Sequence, residues 1–291
     1  MIRLRFVVAL IFISLTTFAQ EEKKELPKEG WFTNGDVTFL FSQSAFSNWV
    51  AGGENSISGN LGLNYNFNYV KGNLTWDNKI IASYGLVKTN NSEFGKKTDD
   101  RLEYNSILGF KDGGYWFYSA MFNFKTQITK GYNYTKGADE KEMRTEYTNF
   151  FSPAYLTLGP GMLWKKNDNF KFNLAPATAK LVLVNKDFTL PNDAYFGVEE
   201  GKSSRFELGF NASTYTKFII LENVTMENIL NLYANYLEEL KNIDIDYTIN
   251  INMKINKFLS SNLAFQTIYD DNAYGGFQTR EVFGLGVNYI Y

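Results

Sequence analysis

Residues 242–256 alternate between polar and apolar side chains at every position. The apolar set is Ile243, Ile245, Tyr247, Ile249, Ile251, Met253 and Ile255. Because successive side chains of a strand point to opposite faces, a period of two predicts a β-strand. One face of this strand should meet an apolar medium, either a protein core or lipid, and the other face should meet water.

Eleven further segments carry strand patterns, so that the chain is expected to form about twelve strands. They are residues 36–43, 55–69, 73–86, 99–110, 115–128, 151–164, 170–184, 203–218, 222–236, 258–269 and 279–291. Residues 222–236 also fit a helical stripe, but their alternation favours a strand. Within 151–164, the run Gly159-Pro160-Gly161 predicts a β-bulge.

The predicted connections alternate in length along the chain. They are short after the even-numbered strands and mostly long after the odd-numbered ones. This asymmetry is typical of outer-membrane barrels, whereas a soluble sandwich has no reason to show it. The expected fold is therefore all-β: a closed antiparallel up-and-down transmembrane β-barrel in outer-membrane lipid, with the first strand paired to the last and both termini in the periplasm.

The N-terminal residues have the pattern of an export signal. Arg3 and Arg5 precede an apolar run, and small residues allow cleavage between Ala19 and Gln20. An N-terminal membrane anchor is the alternative interpretation. We therefore divide the chain into a signal peptide (1–19), a periplasmic lead-in (20–34) and the barrel (35–291).

Aromatic residues recur near the predicted short turns. These are Tyr69, Trp76, Phe110, Trp116, Trp164, Phe170 and Tyr291. Amphipathic rings collect at membrane interfaces, so we expect these side chains to form an outward belt at the periplasmic rim.

The opposite face of the strands carries charges of both signs and should line the lumen. The candidate lining residues are Asp77, Lys79, Arg101, Glu103, Lys125, Arg205, Glu207, Glu227, Asp244, Asp246 and Lys254. Three functions remain open. The barrel could be a channel for small polar solutes. It could be a plugged structural or surface-interaction barrel, closed by ion pairs and a folded loop such as 129–150. It could also be a soluble periplasmic β protein.

Composition restricts the chemistry. The chain has neither cysteine nor histidine, which excludes disulfides, thiolate or imidazole zinc sites and His-dependent catalytic triads. We expect no enzyme activity and no cofactor. Asp270, Asp271 and Asn272 could bind Ca²⁺ through oxygen, although a polar outer loop is favoured. The formal net charge of −2 argues against a nucleic-acid partner.

The last residues resemble the C-terminal signal of outer-membrane barrels. Gly286, Tyr289 and Tyr291 match that pattern, while Gly284 occupies its usually polar position. The resemblance implies recognition by the barrel-assembly machinery.

The chain also resembles a Bacteroidetes family of uncharacterised proteins, domain of unknown function 3078. The residues that carry the resemblance are Phe41-Ser42-Gln43, Asn48-Trp49, Ala51 to Asn55, Leu232-Tyr233, Asn235-Tyr236, Ile243-Asp244 and Lys254 to Lys257. It implies an exported outer-membrane barrel and supplies no activity.

Overall fold

The computed structural model describes residues 29–48, 50, 53–191, 194–238, 240–256 and 258–290, except the side chains of residues 288 and 290. Within these ranges the chain is built from β-strands and one short 3-10 helix, Lys186–Phe188. The predicted signal peptide, most of the lead-in and Tyr291 lie outside the described residues. No helix in the described ranges is long and apolar enough to cross a membrane.

Twelve antiparallel strands close into a barrel, as the sequence predicts. They are β1 (Gly30–Ser44), β2 (Ser56–Lys71), β3 (Leu74–Thr89), β4 (Lys96–Gly113), β5 (Trp116–Thr126), β8 (Ala154–Asn167), β9 (Phe170–Leu183), β10 (Ser204–Leu221), β11 (Val224–Asn235), β12 (Ile243–Lys254), β13 (Leu259–Asp270) and β14 (Tyr274–Ile290). Two further strands, β6 (Gly131–Lys136) and β7 (Glu142–Thr148), form a separate hairpin.

The barrel closes where β1 pairs with β14, with Asp36 opposite Ile290 and Leu40 opposite Gly286. All other neighbours in the barrel are consecutive in sequence except β5 and β8, which flank the inserted hairpin. Closure satisfies the backbone donors and acceptors of every strand, which is the condition for crossing lipid.

The connections differ in length between the two ends of the barrel. Residues 72–73, 114–115, 168–169, 222–223 and 255–258 form the turns at one end. Longer loops, residues 45–55, 90–95, 127–153, 184–203 and 236–242, lie at the other end together with the short link 271–273. By the usual asymmetry of outer-membrane barrels, the short turns mark the periplasmic rim and the loops mark the outer mouth.

The structure differs most from the prediction at two strand starts and in one loop. β1 begins at Gly30, so residues 30–34 belong to the barrel and not to the lead-in. β14 begins at Tyr274, because Gly275 and Gly276 continue the strand after the turn at 271–273. The segment 129–150, predicted to be a loop, contains the antiparallel β6–β7 hairpin.

A bulge in β9 changes the inside–outside phase of that strand. The register shifts between Leu158 and Met162 on the β8 side and between Gly209 and Asn211 on the β10 side, around Pro176. A Cβ atom at Gly161 would lie 2.3 Å from the carbonyl oxygen of Leu174, so the bulge leaves room only for glycine there. The bulge predicted within 151–164 was misplaced: β8 pairs with β5 without a register shift, and the extra residue lies in β9, opposite Gly159-Pro160-Gly161.

The outer wall of the barrel is apolar and uncovered within the described part of the chain. Phe39, Leu61, Leu158, Phe206 and Phe283 point outward and are between 49% and 65% exposed. Ile243 is likewise exposed, and no second sheet lies over Ile245 or Ile249. A continuous apolar wall around a closed barrel is the surface that a lipid bilayer requires.

Candidate functional site: the polar lumen

All eleven predicted lining residues face the interior. Strand pairing sets Asn66 opposite Lys79, Glu103 opposite Lys125, and Glu227 opposite Asn250. The remaining members share this phase on their strands, including Lys254 at the periplasmic end of β12. The lumen is therefore polar around its whole circumference, and it is the site from which function must be argued.

One ion pair crosses the full width of the lumen. Lys79 on β3 lies 2.6 Å from Glu227 on β11, and these strands are opposite each other in the barrel order. Glu227 also accepts hydrogen bonds from the Tyr215 hydroxyl at 2.7 Å and from the Asn250 amide at 3.2 Å. Both side chains of the pair are largely buried, at 12% and 16% exposure. The pair therefore bridges opposite walls of the lumen.

A second set of ion pairs lies closer to the outer mouth. Lys125 on β5 pairs with Asp246 on β12, which also accepts from the Gln266 amide at 2.9 Å. Arg101 donates through Nε to Glu103 at 3.0 Å, and Glu103 is 1% exposed. The Lys125–Asp246 pair joins opposite walls of the barrel, whereas Arg101 and Glu103 pair along the same strand, β4.

Several lumen residues were missing from the predicted set. Lys165 and Lys171 bind Asp77 at 2.9 Å and 2.5 Å, and Arg280 binds Asp99 at 2.6 Å. Lys165, Lys171, Asp99 and Arg280 all lie on the polar side of an alternating strand, so their parity could have identified them.

Lys180 was missed for a different reason. It lies beyond the β9 bulge, which reverses the phase set by Lys171 and Asn173 at the start of the strand. Its ammonium is 2.8 Å from Asp244, 3.5 Å from Glu207 and 3.8 Å from Asp270. Lys180 therefore offsets part of the negative charge of these three carboxylates near the outer mouth.

Two of the three residues considered for Ca²⁺, Asp270 and Asp271, lie beside Asp244 in this region. Carboxylate oxygens of Asp244, Asp270 and Asp271 lie within 4.8 Å of one another. The Lys180 ammonium already contacts Asp244, and Asp270 accepts from the backbone N–H of Asn272 at 3.1 Å. Part of the predicted trio therefore forms a turn, which agrees with the favoured interpretation of a polar outer loop.

The loop between β9 and β10 folds into the outer mouth. Tyr195 and Val198 are 3% and 1% exposed and pack on Val182 and Val184, which face inward at the end of β9. Tyr195 also donates to the backbone carbonyl of Tyr147 at 2.5 Å. The loop that narrows the mouth is thus 184–203. The segment 129–150, named above as an example of a loop that could close the lumen, contains the β6–β7 hairpin, whose residues are mostly exposed.

The described part of the lumen contains a smaller and a larger cavity. The smaller, of about 180 Å³, lies beside Asp77, Lys171 and Tyr215. The larger, of about 510 Å³, follows the inner wall of β1, β2 and β12–β14. It reaches from the exposed residues Asn223 and Lys254 at the periplasmic rim to Asp99 and Arg280. Lys79 lines both cavities, as do Asn34, Asn66 and Lys217, whereas Glu227 lines only the larger one.

Six of the seven aromatic residues predicted for the belt lie near the short turns, and the seventh, Tyr291, lies outside the described residues. Tyr69 pairs with Trp76, Trp116 pairs with Trp164, and Phe110 and Phe170 flank the same short turns on the outer wall. Trp31 joins this group, with its ring 5.1 Å from Tyr69 and 5.7 Å from Trp76, centroid to centroid. Trp31 was not predicted for the belt because residues 20–34 were assigned to the periplasmic lead-in, whereas β1 begins at Gly30. The role of this belt at the lipid interface stays a prediction.

The residues of the C-terminal signal have distinct positions. Tyr289 points outward and is 68% exposed. Gly286 faces inward beside Leu40, and a Cβ there would lie 2.2 Å from the carbonyl oxygen of Phe39. Gly286 is therefore required for packing at the closure of the barrel, whatever its part in assembly.

Comparison with known proteins gives a family match over part of the chain. Residues 41–132 match the family described as protein of unknown function (DUF3078). The other motifs that suggested this resemblance, from Leu232 onward, lie outside the matched range. No curated protein sequence matches the chain.

Solved structures similar to the chain are membrane barrels. The COG4313 outer membrane channel from Pseudomonas putida F1 is 13% identical, with 94% of this chain and 99% of that chain covered and a TM-score of 0.39. The translocator domain of the autotransporter NalP from Neisseria meningitidis is 9% identical, with coverage of 99% and 94% and a TM-score of 0.38. The outer membrane channel DcaP of Acinetobacter baumannii is 12% identical, with coverage of 90% and 96% and a TM-score of 0.29.

The chain's own geometry supports its class without these similarities. It forms a closed barrel with an even number of antiparallel strands, an apolar outer wall and a charged interior. It is an outer-membrane β-barrel. A soluble periplasmic protein would have to cover the apolar wall, and no described segment does so.

Proposed function

We propose that the barrel is a narrow channel for small polar solutes. The observation that carries the proposal is the larger cavity, which follows a polar wall from the periplasmic rim towards the outer mouth. On β2 it extends from Asn66 to Asn60, which is roughly 20 Å at about 3.3 Å per residue. Because strands in such barrels tilt by about 35–45°, this length corresponds to roughly 15 Å along the barrel axis, which is more than half of an apolar band about 25 Å tall.

An ion pair closes the outer end of this path. The Arg280 guanidinium on β14 lies 2.6 Å from the Asp99 carboxylate on β4, which also accepts from the Asn60 amide at 3.1 Å. Strands β1, β2 and β3 separate the two partners in the barrel, so the pair spans a segment of the lumen. We infer that it is the constriction that limits solute flow.

Planar-bilayer recording of the refolded barrel tests this proposal. Arg280→Ala should raise the single-channel conductance about twofold or more, since shortening the side chain widens the narrowest point and removes a fixed charge. Arg144→Ala is the matched control. Arg144 lies on the hairpin, where its guanidinium covers the rings of Phe94 and Tyr132, and its loss should leave conductance unchanged. A sealed bilayer with both wild type and Arg280→Ala would contradict the channel.

A second candidate is a plugged barrel whose loops bind a partner. It is favoured by the number of ion pairs that cross the lumen and by the packing of Tyr195 and Val198 in the outer mouth. A sealed bilayer in the experiment above would support this function in place of transport.

The proposal includes no catalytic activity and no cofactor. Without histidine or cysteine, any lumen chemistry would rest on carboxylates. Those of Asp77, Glu103, Glu227 and Asp246 are held by lysine or arginine, which favours a structural role. Incubation of the reconstituted barrel with ester, peptide and glycoside substrates should form product no faster than protein-free lipid vesicles do.

The export route and partners are part of the proposal. The arginines and apolar run of residues 1–19 support removal of a signal peptide after Ala19, and N-terminal sequencing of the membrane-inserted protein tests this. The closed barrel supports outer-membrane lipid and the barrel-assembly machinery as partners. Its acidic balance gives no support for binding nucleic acid.

A further inference from the structure

The wall of the larger cavity is rich in amides. Eight asparagines line it, on β1, β2, β12, β13 and the β10–β11 turn. Several of them bond to one another: the Asn66 amide donates to Asn34 at 2.8 Å, and the Asn252 amide donates to Asn262 at 2.6 Å. Because an amide has two donors and a two-lone-pair acceptor, these wall contacts use only part of its capacity. The remainder faces the cavity.

The charged groups of the same cavity cancel. Lys79, Arg101 and Arg280 each have a carboxylate within hydrogen-bond distance, from Glu227, Glu103 and Asp99 respectively. The charged lining residues that remain are two carboxylates, Asp36 and Glu222, and two ammonium groups, Lys217 and Lys254. The path therefore offers no net charge to attract or compensate an ionic solute.

We propose that the channel selects neutral polyhydroxylated solutes over ions, an inference that rests on the proposed channel function. A hydroxyl group both donates and accepts, so it can exchange its water for successive amides along the wall at little cost. The wall has no excess of either charge, so a carboxylate or ammonium that leaves water in this narrow path loses much more hydration free energy than a hydroxyl group does.

Influx into proteoliposomes tests the inference with a matched pair of probes. Arabitol is a neutral pentitol, and arabinonate has the same carbon chain with a terminal carboxylate. Light scattering of vesicles in isosmotic solutions should show arabitol entering at least about tenfold faster than arabinonate. Equal rates, or faster entry of arabinonate, would overturn the selectivity and leave the channel standing. Exclusion of both probes would instead contradict the channel itself.

A pair of variants locates the selectivity on the amide wall. Asn252→Leu removes a hydrogen-bonding group from the cavity and should lower arabitol influx about threefold or more without raising that of arabinonate. Asn228→Leu is the control. Asn228 points to the outer wall, where it contacts Thr216 and Tyr247, and its replacement should leave both rates unchanged. An unchanged arabitol rate in folded Asn252→Leu, as judged by heat-modifiable gel mobility, would contradict a role for the amides.

Discussion

Lys79 and Glu227 show how single residues stabilise this barrel. Lys79 lies on the inward, polar face of β3 and Glu227 on that of β11, where there is a polar lumen in place of an apolar core. The two side chains meet at 2.6 Å across the lumen, and Tyr215 and Asn250 complete the hydrogen bonding of the carboxylate. Largely buried charges are stable only when they are paired and hydrogen-bonded, so either partner alone should be unfavourable.

A double-mutant cycle measures this coupling. Lys79→Met should lower the free energy of unfolding by about 1–3 kcal/mol, because Glu227 keeps its burial and loses its ammonium partner. The double variant Lys79→Met/Glu227→Gln should recover about 1 kcal/mol or more, since no buried charge is left unpaired. Urea titration of the wild type, Lys79→Met, Glu227→Gln and the double variant in detergent, followed by gel mobility, gives the four values of the cycle.

The control is an ion pair outside the barrel. Glu199 and Lys202 lie 2.6 Å apart in the outer loop, with side chains that are 74% and 62% exposed. Glu199→Gln should change the free energy of unfolding by less than about 0.5 kcal/mol, because water and salt screen an exposed pair. If the double Lys79/Glu227 variant proves as unstable as the sum of its single variants, the two side chains are not coupled.

Among the elements, the β6–β7 hairpin is fixed to the barrel by a carboxylate. Glu142 accepts from the Ser92 hydroxyl at 2.7 Å and the Glu93 backbone N–H at 3.1 Å, and its second oxygen lies 2.6 Å from Lys96. Hydrogen bonds from Lys96 and Ser92 lower the pKa of Glu142 from its ordinary value of 4.5 to about 2. The contact therefore stabilises docking of the hairpin above the ordinary pKa, and this stabilisation is lost as the pH falls through about 2.

We expect the hairpin to stay docked between pH 3 and 4, where an ordinary glutamate is already taking up its proton. A pH titration of the Glu142 side-chain carbonyl by NMR should show a midpoint near 2. In Lys96→Met the midpoint should rise towards 4.5, because the main donor is lost. Lys202→Met, whose ammonium pairs with Glu199 in the loop between β9 and β10, is the control. A wild-type midpoint near 4.5 would show that the tether does not form.

The elements also show what alternation can and cannot predict. The period of two was sufficient for the strands, the short turns and the eleven lining residues, because side-chain direction follows directly from it. It failed at Lys180, where the bulge around Pro176 reverses the phase, and at Trp31, whose strand begins with Gly30 and looks like a loop. A pair of glycines usually indicates a turn, yet Gly275 and Gly276 lie within β14.

At the scale of the whole molecule, closure creates the contacts that no local pattern contains. Lys79 and Glu227 are separated by half the barrel, and Arg280 meets Asp99 only because β14 returns to pair with β1. Which walls face each other depends on strand number and stagger, properties of the closed sheet. The charged lumen could therefore be predicted from the sequence, whereas its ion pairs and its two cavities could not.

The orientation of the barrel follows from the same closure and can be tested with single cysteines. The chain has no cysteine, so one introduced thiol is the only site for a maleimide. Asp139→Cys lies in the turn of the β6–β7 hairpin and Asp112→Cys lies beside the short turn at 114–115, and both positions are exposed. If the loops face outward, a membrane-impermeant maleimide should label Asp139→Cys in intact cells and label Asp112→Cys only after the outer membrane is permeabilised. Labelling in the opposite order would show that the barrel has the opposite orientation. The constriction at Arg280 would then lie on the periplasmic side of the cavity.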